Sequence, residues 1–142
     1  MENKRLYGKI NFIGKQLARA HCQIEGVTPM RMHTLVYILK CTARGQKVCQ
    51  KDVEREVNLR ASSVSSLLQG LESDGYITRT ISAGDARTKY IELTAKGIDI
   101  CENGKRMMDE CDEVVARALT EGEQEQLSAI LDKIVDSIVN KD

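Results

Sequence analysis

The chain has no tryptophan, one phenylalanine and one proline. So few aromatic side chains, beside plentiful Leu, Ile, Val, Glu and Lys, favour helices packed on helices. No apolar run approaches the roughly 18 residues that a membrane span needs. The first residues, MENKRLYGKI, lack the apolar centre and cleavage site of a signal peptide. A soluble, cytoplasmic protein is expected. Five cysteines, Cys22, Cys41, Cys49, Cys101 and Cys111, form no CxxC pair. An odd number without an export signal fits reduced thiols, and buried cysteine is common core filler. The two histidines and the scattered cysteines make no pair at the i, i+3 or i, i+4 spacing of a helical metal site, so neither metal nor cofactor is expected. No Gly-rich phosphate loop, His/carboxylate cluster or nucleophile motif is present, which argues against an enzyme.

What the sequence does hold is ordinary for a globular protein: 42 % hydrophobic and 30 % charged residues over 142 positions. That length suits one compact domain, or a small domain with an extension that packs on a partner. The net charge is zero but unevenly spread. Residues 1–40 carry seven Lys/Arg against two Asp/Glu (+5), residues 41–94 eight against seven (+1), and residues 95–142 six against twelve (−6). The basic first third and acidic last third would attract each other, within one chain or between two. An acidic tail facing DNA would be repelled.

From about Lys4 to Cys22, Leu6, Ile10, Ile13 and Leu17 recur at helical spacing. Thr28-Pro29 reads as an N-cap and first helical residue, opening a helix with Leu35, Val36, Ile38 and Leu39. Gln50 to Val57 forms a short helix, Asn58-Leu59-Arg60 a tight corner, and Ala61 to Asp74 a second helix with Val64, Leu67, Leu68 and Leu71 inward. Gly75 stands where a glycine stop belongs. The period then changes: residues 76–81 and 89–93 read as strands of a β-hairpin around a polar loop, residues 82–88. A long helix from Ala95 to about Leu119 has Ile98, Cys101, Met108, Val115 and Ala118 as its apolar points. Thr120 to Glu123 matches a capping box. The last helix carries Leu127, Ile130, Leu131, Ile134, Val135 and Ile138, a wide stripe that needs a surface to cover it.

Two short helices joined by a sharp corner form a helix-turn-helix, whose second helix suits the DNA major groove in width. Its exposed face is short and polar: Ser62, Ser63, Ser65, Ser66 and Gln69. Serine is only a moderate helix former, so four in five positions is a poor choice for stability alone. Short hydroxyl side chains let a helix backbone approach base edges closely, and glutamine pairs bidentately with adenine. The bland reading is a solvated, self-capping helix start. The hairpin that follows favours the sharper one, because its loop can enter a neighbouring minor groove. Arg87, two residues after Asp85 in that loop, has the charge such a groove attracts. Asp85 has the wrong sign to touch DNA and is expected to orient an arginine or fold the loop.

At these residues the chain resembles the MarR family of bacterial regulators. The resemblance rests on QKDVEREVNLRASSVSSLLQGLESDGYI and on DARTKYIELTAKG, the latter matching an Asp-x-Arg wing followed by a Leu-Thr-x-x-Gly entry to the next helix. It implies a mainly α fold with a small β-hairpin wing: a winged helix-turn-helix over 28–97, and N- and C-terminal dimerisation helices over 1–27 and 98–142. It implies a homodimer on double-stranded DNA, in the leading reading a repressor on a pseudo-palindromic operator. Arg60, Ser62, Ser63, Ser65, Ser66, Gln69 and Arg87 would then face bases, phosphates or the minor groove, with Lys47, Lys51, Arg79 and Lys89 as further phosphate cations and Asp85 shaping the wing. The family also implies small aromatic or amphipathic effectors where the dimer helices meet the DNA-binding lobes, for which Phe12, His33 and Tyr37 are the candidates. In this chain Arg60 replaces a frequent capping Asp or Ser, which leaves Ser62 to cap, and Gly70 interrupts the recognition helix. Two alternatives stand beside this reading: a thiol-based redox regulator, with Cys22 beside His21 as the sensor, and a dimeric adaptor that binds no DNA.

Overall fold

The computed structural model describes residues 5–21, 24, 26–85 and 87–139. Among the described residues six helices and three strands follow in order: α1 (Leu6–His21), α2 (Pro29–Ala43), β1 (Val48–Cys49), α3 (Gln50–Val57), α4 (Ala61–Ser73), β2 (Ile77–Ile81), β3 (Lys89–Leu93), α5 (Ala95–Ala118) and α6 (Glu121–Val139). The chain divides into two compact units, one of residues 1–21 with 107–142 and the other of residues 22–106. The mainly helical fold with a small sheet is the winged helix expected from the sequence.

The second unit holds the core. Leu35 and Ile38 of α2, Val48 of β1, Val53 of α3, Val64, Leu68 and Leu71 of α4, Ile77 of β2 and Ile91 of β3 are all buried in one cluster. Each comes from the apolar side of its element, and burying a side chain of this size contributes about 1.5–3 kcal/mol. Thr34, also buried, satisfies its hydroxyl by donating to the Met30 carbonyl at 2.9 Å.

The sheet is antiparallel in the order β1-β3-β2, with Val48 opposite Ile91 and Arg79 opposite Ile91 from the other side. Nothing in the order of residues announces β1. Two residues are too few to show a period, and Val48 and Cys49 are strand only because β3 supplies their partners.

Helix ends follow local chemistry. Thr28 accepts from the Arg31 amide at 3.2 Å, and Pro29 opens α2. Asn58 takes the left-handed conformation, φ 51°, at the corner between α3 and α4. Gly75 ends α4 at φ 80°. Thr120 and Glu123 complete their capping box, the hydroxyl accepting from the Glu123 amide at 3.2 Å and the carboxylate from the Thr120 amide at 2.9 Å.

Helix α5 starts hard against the end of α4. The Thr94 hydroxyl donates to the Gly75 carbonyl at 2.6 Å, its oxygen accepts from the Gly97 amide at 3.1 Å, and the Thr94 amide donates to the Tyr76 carbonyl at 3.1 Å. A Cβ at Gly97 would fall inside the envelope of the Tyr76 carbonyl oxygen, a backbone atom that cannot step aside. Gly97→Ala should therefore lower stability by about 1–3 kcal/mol, the usual range for overpacking, measurable by chemical denaturation.

Candidate nucleic-acid interface

Helix α4 buries Val64, Leu68 and Leu71, half-buries Leu67, and turns Ser62, Ser63, Ser65, Ser66 and Gln69 outward. Arg60, not Ser62, occupies the N-cap position, and no side chain caps the helix. Ser62 lies within the first turn, which corrects the capping role expected for it. The first amides of α4 are thereby left to solvent or to an anion. Gln50, the first residue of α3, donates to Ser65 Oγ at 2.8 Å and to the Ala61 carbonyl at 3.3 Å, which fixes one helix against the other.

Helix α3 is held by its own start. The Asp52 carboxylate accepts from the Cys49 amide at 2.9 Å and from the Cys49 thiol at 3.1 Å, and pairs with Arg55. These donors, the Cys49 amide foremost, hold the Asp52 carboxyl below its ordinary value against the opposing effect of burial. A depressed native value means a contribution present above the unfolded pKa of about 3.9 and lost as pH falls through the native one. Asp52→Asn is expected to destabilise the fold by about 0.5–2 kcal/mol at neutral pH. It should also flatten the acid limb of the stability curve, which pH-dependent urea denaturation would read.

The wing is folded around Asp85. Its carboxylate accepts from the Arg87 amide at 2.9 Å and from the Thr88 hydroxyl at 3.1 Å, while its carbonyl accepts from the Thr88 amide at 3.1 Å. The Ser82 amide donates to the Thr88 carbonyl at 2.8 Å and closes the loop base. Arg87 is exposed, and among the described residues no carboxylate pairs with it. Arg87, Lys89, Arg79 and Lys51 line one groove of about 440 Å³ with Gln50 and Ala61, joined by a single carboxylate, Glu54. Residues far apart in the sequence thus form a cationic cleft beside the start of α4.

Arg79 differs from its neighbours. Its Nε and Nη2 lie 3.3 and 3.2 Å from the two carboxylate oxygens of Glu72, and its hydrogen bonds hold that carboxyl below the ordinary range. Lys47 is exposed and stands 5.0 Å from the centre of the Tyr90 ring. Arg60 and Lys89 are exposed.

The residues considered for an effector do not make one site within either unit. Phe12 is exposed on α1 in the first unit, while His33 and Tyr37 lie on α2 in the second. His33 is exposed, 3.3 Å from Glu56. Tyr37 borders a cavity of about 400 Å³ with Cys41 and Asp52. Its phenol is pushed up to about 12, first by burial and then by Cys41. Among the thiols, Cys41, Cys101 and Cys111 are buried, and burial pushes Cys101 up to about 11. Cys22 lies outside the described residues. Among those described, no three His, Cys, Asp or Glu gather as metal ligands, and no helix is long and apolar enough to cross a membrane.

Comparison with known proteins places the chain in a family. A family model described as MarR family matches residues 25–88. The HTH-type transcriptional regulator BilQ of Clostridium symbiosum is 30 % identical over 116 residues, 82 % of this chain and 78 % of that protein. The chain belongs to the MarR family. Solved structures of this family superpose along almost the whole length. A mutant of MepR from Staphylococcus aureus has a TM-score of 0.80 at 30 % identity, covering 97 % of this chain and 99 % of that one. The S. aureus MepR–DNA complex has a TM-score of 0.75 at 31 % identity, covering 96 % and 98 %. The MarR-type relatives are transcriptional regulators, not enzymes, and the DNA-binding regulation they share extends to this chain.

Proposed function

We propose that two copies of this chain bind one double-stranded operator and repress transcription by occupying it. The observation that carries the reading is the cationic cleft between α3 and the wing, which opens at Ala61, the first residue of the helix whose small polar face is turned outward. In that arrangement Ser62, Ser63, Ser66 and Gln69 meet base edges and phosphates, and Arg87 enters the minor groove, where negative potential concentrates. Ser65, engaged by Gln50, still has a hydroxyl proton to donate. Lys51, Arg60, Lys89 and Lys47 supply phosphate contacts, and Arg79 joins them only by leaving Glu72. MepR, solved in complex with DNA, supports DNA as the partner here.

Dimerisation is supported by what the first unit leaves uncovered. No residue of α6 is buried, and Leu127, Ile130, Leu131, Ile134, Val135 and Ile138 all face outward. An apolar stripe of this width marks an interaction surface. Leu6, Ile10 and Ile13 of α1 are exposed as well, beside the cations Arg5, Lys9, Lys15 and Arg19, whereas α6 bears mostly carboxylates. A second copy satisfies both the apolar and the charged demands. Two recognition helices then reach successive major grooves, so the operator is a pseudo-palindrome with half-sites about 10 bp apart. A small effector that alters the spacing of the two copies would relieve repression.

Selection of genomic fragments by the purified full-length protein, followed by mobility shift of the enriched sequence, tests the reading. Enrichment of one inverted repeat is expected. Absence of duplex binding at every salt concentration, with tolerance of charge reversal at Arg60 and Arg87, would instead identify a dimeric adaptor.

A further inference from the structure

Gly70 stands inside the recognition helix, where any other residue but proline would be a better helix former. A Cβ at this position would lie 2.5 Å from Nη2 of Arg31 and 3.5 Å from its Cζ. The Arg31 guanidinium occupies the space a side chain would take. From there its Nη1 donates to Asp74 Oδ2 at 2.6 Å and to the Gly26 carbonyl at 3.3 Å. Asp74 is the C-cap residue of α4. Its main-chain carbonyl accepts from Lys96 Nζ at 2.6 Å, and that ammonium also sits 4.6 Å from the centre of the Tyr76 ring. Two cations therefore hold the end of the recognition helix, one from the first turn of α2 and one from the first turn of α5.

This arrangement is a poor device for stability. The glycine weakens the helix, and the Asp74 side chain is 50 % exposed, so its ion pair contributes little. What the contact does fix is geometry. We propose that Arg31 is a positioning residue for DNA reading: seated over Gly70 and paired with Asp74, it sets the pose in which α4 presents Ser62 to Gln69. The inference rests on the function proposed above. Base-edge hydrogen bonds tolerate little displacement, whereas flexible lysines and arginines follow phosphates, so a loosened helix end loses specific binding and keeps non-specific binding.

Gly70→Ala separates geometry from stability. Its methyl group meets only the far end of a flexible side chain, so the guanidinium moves away and the helix gains propensity. The expected result is an unchanged or higher thermal midpoint, with affinity for the selected operator lower by about fivefold or more. Affinity for a scrambled duplex and the salt slope stay as in the wild type. Arg31→Ala should reproduce the loss, and the double variant should bind no more weakly than the weaker single variant.

Operator affinity of Gly70→Ala within about twofold of wild type overturns the inference. So does a Gly70→Ala loss that Arg31→Ala fails to reproduce, or a parallel loss of specific and non-specific binding with a lower midpoint. A salt slope reduced by about one in Arg31→Ala would make Arg31 a phosphate contact and overturn it as well. Wild-type protein that binds no duplex overturns the DNA-reading function and this inference with it. An operator bound equally by wild type and variants overturns the inference alone.

Discussion

An Ile134→Asp variant is expected to sediment as a single chain and to lose operator affinity by about two orders of magnitude or more. Ile134 lies midway along the α6 stripe and is 38 % exposed in the single chain. In a dimer seam its side chain would be enclosed by apolar neighbours, and a carboxylate there would lose its hydration without gaining a partner. The folded winged unit would survive, because its core draws nothing from α6. The affinity falls because one chain reads one half-site, and the linked second site supplies about 10²–10⁴ in effective affinity. Ala129→Ser, an uncharged change at an exposed residue of the same helix outside the apolar stripe, should leave both readouts at wild-type values. An Ile134→Asp protein that still sediments as a dimer and still shifts the operator would remove α6 from the association.

Arg87→Ala is expected to weaken operator binding about tenfold or more, in the range of about 1–3 kcal/mol for a specific contact, and to leave the dimer intact. The argument is one of isolation. The guanidinium is exposed and has no carboxylate partner among the described residues, so its removal disturbs little of the fold. The wing keeps its shape through the Asp85 carboxylate and the Thr88 contacts, which need only the backbone of residue 87. Arg79→Ala offers a contrast. It removes the partner of Glu72 and exposes a free carboxylate beside the cleft, so its effect on binding mixes lost attraction with new repulsion. A mobility-shift titration with unchanged affinity for Arg87→Ala would take the wing out of the mechanism.

Much of this was readable from residue order, for reasons that differ by element. Helix α4 announced itself through Val64, Leu67, Leu68 and Leu71, and ended at the glycine that its geometry requires. The capping box of α6 was equally plain, because Thr120 and Glu123 satisfy each other locally. Helix α5 was less legible. Of its apolar points Cys101 is buried, but Ile98 and Met108 are 39 % and 58 % exposed, and Gly97 and Gly104 are buried without having been singled out. Hydropathy patterns weigh side chains, and a glycine packed against a neighbour has none to weigh. Tertiary contacts hid the remainder. Arg79 reads as a cation available for phosphate until the turn after α4 brings Glu72 alongside it. Gly70 reads as a flaw until Arg31, from a distant helix, is found in its place.

The hydrogen bonds that close the wing also bear on how fast it docks. A loop free in solution would have to surrender backbone freedom on encountering a duplex, and many collisions would end with its tip misdirected. Here the main chain on both sides of the tip is tethered before any collision. In the proposed complex the backbone that carries Arg87 would arrive already shaped, and the barrier left at docking would be the shedding of water and counterions.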